Sequence, residues 1–225
     1  MSGTRSIGRD EPFPGLRDPR LLVIGYAGRD EAAVKHHIDE LAAIGIAPPP
    51  HVPMVYELSP GLVTGDASVV VSGPSTSGEV EPVLVRAAGQ WYLALGSDHT
   101  DRELEATDIK TSKAVCPKPV SARAIHLNGD PARGDLDAAW DAIVIASAID
   151  GTAYQRGTLA ALRLPSNLIA HATADDRAGD LVVFCGTVPL LDGHFRYGAQ
   201  FTATMSADDW SLRLEYAATT PTTSD

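Results

Sequence analysis

Apolar positions along this chain gather in short runs broken by glycine, proline and charged residues, and the spacing inside the runs changes from place to place. The run LLVIG at 21–25 is bounded by a turn and predicts a buried strand. Over 30–44 the pattern becomes helical, with Ala33, Val34, His37, Ile38, Leu41 and Ile44 recurring at spacings of three and four. Asp30 is placed to cap that helix and Gly45 to close it. The prolines at 48–50 then force a loop. Strand-like stretches follow at 52–58, 67–72, 79–86 and 90–95, and AAGQ between the last two reads as a hairpin turn. A second helix or turn is predicted over 103–114, a strand at 120–126 and a short helical turn at 136–141. A buried strand at 143–149, a helix near 166–172 and strands at 181–185, 200–205 and 211–217 complete the chain. No internal repeat and no steady strand–helix alternation is present, which argues against a doubly wound sheet. The prediction is one mixed α+β domain, dominated by β structure, over residues 20–218. A flexible N-terminal arm is expected over 1–19 and a C-terminal tail over 219–225.

Composition narrows the function. The length of 225 residues suits one well-buried domain, and the hydrophobic fraction of 44% suits a globular chain. A formal charge of −11 argues against nucleic acid as a partner. An anionic small substrate stays compatible, because one bound divalent cation can invert the local field. No stretch approaches the roughly 20 apolar residues of a membrane helix. The N-terminus MSGTRSIGRDEPFPG lacks the apolar core of a secretory signal, and Cys116 and Cys185 have neither zinc spacing nor a disulfide framework. A cytoplasmic protein without a membrane partner is the expectation.

The densest candidate chemistry lies in SGEVEPVLV. Side chains alternate along a strand, so Glu79 and Glu81 point to one face. Carboxylates that close raise each other's pKa unless a cation sits between them. Asp98 stands at the end of the next strand-like run, where a hairpin returns it towards the pair. Hard divalent cations such as Mg2+ take oxygen ligands of this kind. The same spacing also fits the solvent face of an amphipathic strand. His37 and Glu40, three residues apart on one helix face, suit a carboxylate-held imidazole that activates water, or a plain solvated face.

These pieces stand in an order that resembles the fumarylacetoacetate hydrolase superfamily: Glu79-Val80-Glu81, then Asp98-His99-Thr100-Asp101-Arg102-Glu103, Ser112-Lys113 and Gly186-Thr187, with His37-Ile38-Asp39-Glu40 upstream where that family carries H-x-x-E. The best match is a shortened bacterial branch of unassigned reaction, over residues 21–217. The resemblance implies a mixed β-roll fold, usually a homodimer, and Mg2+ (or Mn2+ or Ca2+) held by Glu79, Glu81 and Asp98. It implies 2-oxo or 2,4-dioxo acid substrates such as acylpyruvates, whose C–C bond breaks through a metal-stabilised enolate. Carried over, His37 and Glu40 form the water-activating dyad, Lys113 neutralises substrate charge, and Thr187 binds a substrate carboxylate. Arg102 either does similar work or pairs with Asp101 and Glu105.

Two positions depart from the family pattern. His99 and Asp101 are polar where that family has an apolar residue and alanine, which points to a changed substrate, an added proton carrier, or solvent-facing side chains. His99 is therefore taken as a candidate substrate contact beside Thr187 and Arg102. The late motif reads CGTVP rather than TGTP. Decarboxylation or keto–enol isomerisation of an oxo acid needs the same metal and no attacking water. A non-catalytic metal- or ligand-binding protein of the same fold is the alternative from another class. Tyr154-Gln155-Arg156-Gly157 is read as a polar turn near the site.

Overall fold

The computed structural model describes residues 7–43, 48–173 and 179–221. The LLVIG run forms β2 (Arg20–Gly25), preceded by β1 (Gly8–Pro12) and followed by α1 (Glu31–Ala43). Asp30 caps α1 as its sequence position predicts, its carboxylate accepting from the amides of Ala32 and Ala33. The end expected at Ile44 and Gly45 lies outside the described residues. Next come β3 (Met54–Leu58), β4 (Val63–Thr64), β5 (Ser68–Val70) and β6 (Thr76–Ser77). The central hairpin is β7 (Val80–Ala87) and β8 (Gln90–Ser97), with Ala88 and Gly89 at positive φ in its turn.

After the hairpin lie β9 (Thr100–Asp101), α2 (Arg102–Glu105), α3 (Ile109–Ala114) and β10 (Lys118–Leu127). The rest is α4 (Asp137–Trp140), β11 (Val144–Ile149), β12 (Thr152–Thr158), α5 (Pro165–Ala172), β13 (Leu181–Phe184), β14 (Gln200–Ala207) and β15 (Trp210–Thr219).

The strands form an eight-stranded sheet in the order β1-β10-β8-β7-β13-β2-β3, with β4 on β10, a five-stranded sheet in the order β12-β11-β14-β15-β5, and a separate pair of β6 with β9. Pairing is largely antiparallel, with β2 parallel to β13. The strands of the large sheet's centre are buried on both faces, which explains their near-continuous apolar runs. One face, carrying Leu84, Leu93, Leu95 and Ile125, packs on Ile145, Met205, Leu214 and Tyr216 of the smaller sheet. The opposite face, carrying Val83, Val85, Val182 and Phe184, is covered by Phe13, Leu62 and Ile109 among others. The mixed, β-dominated α+β fold is as the sequence predicts.

Three local expectations change. The arm expected to be flexible over 1–19 contains β1, which pairs with β10 from Gly8↔Leu127 to Pro12↔Arg123. It has no apolar run because it is an edge strand, and Asp10 answers Arg123 across the pair at 2.8 Å. The single helix or turn read over 103–114 is two short helices, each started by its own aspartate cap, Asp101 and Asp108. The polar turn read at Tyr154–Gly157 is part of strand β12; a register shift at Ser147/Ala148 goes with burial of both Tyr154 and Gln155.

Candidate active site

The site is built where β7 and β8 end. Val80 pairs with Ser97 and Glu81 with Gly96. One step further, the amide of Asp98 donates to the Glu79 carbonyl at 2.9 Å and the Glu79 amide returns a bond at 3.3 Å. Glu79 and Asp98 are thus directly opposite, and alternation puts Glu81 on the same face. Gly96 opposite Glu81 lets Val83 and Phe184 pack directly on the strand, since a Cβ there would meet Val83 Cγ2 at 2.5 Å and Phe184 Cε1 at 2.6 Å. Glu81 and Asp98 are buried, so the solvent-face reading of Glu81 does not apply.

Each carboxylate has a different environment. Glu79 Oε2 is 3.1 Å from Arg102 Nη2. Asp98 lies between two buried ammonium groups: Lys113 donates to Oδ2, and Lys118 Nζ stands 3.3 Å from Oδ1. That second approach leaves Oδ1 buried without a hydrogen bond. Burial alone would push the Asp98 carboxyl up; Lys113 and Lys118 outweigh it and hold the group down at about 2. Glu81 accepts a 2.9 Å bond from the Gly186 amide. Burial, with the negative charge of Asp98 added, pushes Glu81 well above the usual carboxylate range, against the pull of Lys113. Gly186 makes this possible: its φ is +91, and a Cβ would stand 2.5 Å from that of Ala27.

Lys113 stays charged despite burial, because Asp98, Glu105 and Glu79 raise its pKa. Arg102 is fully engaged, bonding Ser77 Oγ at 2.7 Å and Glu105 at 2.7 Å besides Glu79, with its guanidinium 3.9 Å from the Phe195 ring centre. Its partners are Glu79 and Glu105; Asp101, the other partner the sequence offered, instead caps α2 and accepts from Ser72 at 2.6 Å.

His99 differs from the substrate contact expected of it. It is buried, with Nδ1 2.9 Å from the Tyr216 hydroxyl and Nε2 3.0 Å from Thr76 Oγ1, so both ring nitrogens are taken. Burial, with Lys118 and Arg102 nearby, lowers its pKa to about 3, and the ring is neutral. Thr187, half-buried, donates to the Val80 carbonyl at 2.8 Å and accepts from Gln155 Nε2 at 2.7 Å. It therefore lies beside the carboxylates with its donor already used. The side chains of His37 and Glu40 lie outside what is described of α1.

Two residues of the segment read as a polar turn near the site do lie at it, but as buried positions of a strand. Gln155 welds β12 to β7, its Oε1 accepting from the Val80 amide at 2.9 Å. Tyr154 is buried with its hydroxyl directed towards Ser77 beside Glu79 and Arg102, without completing a hydrogen bond. Lys118 is the residue that the sequence reading missed. Its only sequence signal is a lysine at the head of an apolar strand, in CPKPV.

All acidic donors at the site are oxygens, and Asp98 Oδ1 is buried and unbonded, a chemistry that fits a hard divalent cation. Among the described residues no three acidic, histidine or cysteine side chains close on a common point. Glu79 and Asp98 face Arg102, Lys113 and Lys118 instead, and Glu79 would exchange its arginine contact to join such an ion.

The family model described as "Protein of unknown function (DUF2848)" matches residues 24–216. The chain belongs to the DUF2848 family. No curated protein matches it in sequence. Among solved structures, a yeast fumarylacetoacetate hydrolase family protein is 12% identical, with a TM-score of 0.60 over 89% of this chain and 93% of its own. The 5-carboxymethyl-2-hydroxymuconate delta-isomerase of Mycobacterium smegmatis is 15% identical, with a TM-score of 0.60 over 92% and 80%. The 2-hydroxyhepta-2,4-diene-1,7-dioate isomerase of Mycobacterium marinum is 11% identical, with a TM-score of 0.62 over 92% and 77%. This DUF2848 chain therefore has the fumarylacetoacetate hydrolase-like fold that its motif order resembles. Among its described residues no helix is long and apolar enough to cross a membrane.

Proposed function

We propose that this DUF2848 protein is a divalent-metal-dependent enzyme that hydrolyses a C–C bond in a small 2-oxo or 2,4-dioxo acid of the acylpyruvate type. The observation that carries the reading is that Glu79, Glu81 and Asp98 share one face at the ends of β7 and β8, with one Asp98 oxygen buried and without a hydrogen bond and the Lys113 ammonium on the other. These three carboxylates would hold Mg2+ (or Mn2+ or Ca2+), and a cation there supplies Lewis-acid stabilisation of charge developing on substrate oxygens. Lys113 presents a compact positive charge to the anionic substrate. Thr187 reaches a substrate carboxylate by releasing its bond to Val80. Arg102, paired with Glu79 and Glu105 while the ion is absent, would keep Glu105 as Glu79 turns to the ion, and His37 with Glu40 remains the proposed water-activating pair. His99 has no free polar atom for a substrate in this reading.

The isomerase names of two structural neighbours favour, as a second reading, keto–enol isomerisation at the same carboxylates without an attacking water.

The test is calorimetric titration of metal-stripped protein with Mg2+ and Mn2+, wild type beside Glu81→Ala, with and without oxalate. Binding by the wild type that the variant loses supports the site and leads to turnover assays on acylpyruvates and oxaloacetate. No binding under any of these conditions would refute metal dependence. A His37→Ala variant that binds metal but no longer turns over supports a water- or proton-activating dyad; unchanged turnover removes that residue's role.

A further inference from the structure

The site holds a buried charge that the chemistry above does not use. Lys118, the first residue of β10, has no solvent exposure. Its ammonium donates to the His99 carbonyl at 2.7 Å, to the Cys116 carbonyl at 3.0 Å and to the carbonyl of Lys113. An ammonium has three protons, and three carbonyls take them. Lys118 therefore has no proton to offer a ligand. What it holds is main chain on both sides of the site: the residue after Asp98, and Lys113 itself. Its charge faces Asp98 Oδ1 at 3.3 Å.

Each of the two segments it joins is also held by other bonds. The Asp98 corner is anchored by the strand-like pairing with Glu79 and by His99 on Tyr216. Helix α3 is started by the Asp108 carboxylate on the Thr111 amide at 3.0 Å, and the Ser112 hydroxyl bonds the Ile109 carbonyl at 2.7 Å. The Lys113 ammonium reaches across to Asp98 itself, and Lys118 is the bridge that ties the two main-chain segments together. We propose that Lys118 is a positioning residue: one buried ammonium ties the Asp98 corner to the C-terminal end of α3 and so sets the placement of the Asp98 carboxylate relative to the Lys113 ammonium. This rests on the proposed function only in taking Asp98 and Lys113 as the ligand-facing groups.

Lys118→Ala leaves a cage of three carbonyl oxygens and Asp98 Oδ1 at ammonium distance, so a small amine can replace what was removed. Oxalate binding is measured by calorimetry on wild type, Lys118→Ala, and Lys118→Ala with methylammonium, each with Mn2+ and again with metal chelated, beside melting temperatures. The expected result is affinity weakened roughly 10- to 100-fold by the substitution, as for other groups that orient binding residues. Methylammonium restores most of it, and tetramethylammonium, too bulky and without N–H donors, does not.

Affinity within about twofold of wild type would overturn the role. So would methylammonium restoring the melting temperature without restoring oxalate binding, since that is a purely structural effect. If Lys118→Ala does not fold, Lys118→Gln serves: weakened binding at a near-native melting temperature supports the role, and unchanged binding overturns it. Wild-type binding without metal would remove the metal reading and leave the Lys118 comparison standing. No wild-type binding under either condition would overturn the functional reading and this role with it.

Discussion

Asp98→Asn keeps the shape of the side chain and removes the one negative charge that faces both Lys113 and Lys118. Asp98 is fully buried and both ammonium groups are nearly so, so water cannot replace the lost partner. Breaking a buried ion pair from one side costs about 3–5 kcal/mol. For a chain of 225 residues each kcal/mol moves the melting temperature by about 2–4 °C, so the range is a fall of roughly 6–20 °C. The asparagine oxygen can still accept from Lys113, which favours the lower half of that range. The assay is thermal unfolding by circular dichroism in a metal chelator near neutral pH. Lys113→Met and the double variant close a mutant cycle. The two single losses are expected to be strongly non-additive, and the gap to wild type to persist in high salt, because buried pairs are weakly screened. A fall of less than about 2 °C, additive losses, or a gap that closes with salt would refute the buried ion cluster as described.

Two further outcomes follow from the same environments. His99 has its folded pKa lowered from 6.5 to about 3, so below pH 6.5 the unfolded chain binds a proton that the folded chain refuses. Stability then declines as pH falls through that window, by at most about 1.4 kcal/mol per pH unit, and His99→Gln flattens the decline; superimposable profiles would contradict it. Glu81 has the opposite sign for a carboxylate. Its folded pKa is raised above 4.5, so its burial is favoured below that value and penalised as pH rises through the raised one. Glu81→Gln, whose oxygen still accepts from Gly186, is therefore expected to melt higher than wild type near neutral pH without metal. The difference should vanish in acid, and Mn2+ binding should be lost; a lower melting temperature near neutral pH would show that Glu81 carries no uncompensated charge.

What the sequence determined is what depends on near neighbours. Strand alternation sets Glu79 and Glu81 on one face, a hairpin of two-residue turn brings Asp98 opposite them, and Asp30 announces its helix by a cap that needs only the next three residues. These are short-range consequences of backbone geometry, and they carried the motif order that matched the fold. Tertiary structure decided the partners. Arg102 could have met substrate or paired with Asp101 and Glu105; the fold kept Glu105, added Glu79 and the Phe195 ring, and left Asp101 to cap α2. His99 read as a candidate contact because a polar residue beside a site is ambiguous until its neighbours are known; Tyr216, 117 positions away, settled it. Edge strand β1 was illegible because an edge needs no apolar run, and β12 because a bulge breaks its alternation. Lys118 is the clearest case: a buried lysine is favourable only where carbonyls and a carboxylate already converge on it, and that convergence, of near neighbours Lys113 and Cys116 with His99 and Asp98 from the hairpin end, exists only once the sheet and α3 have closed around it.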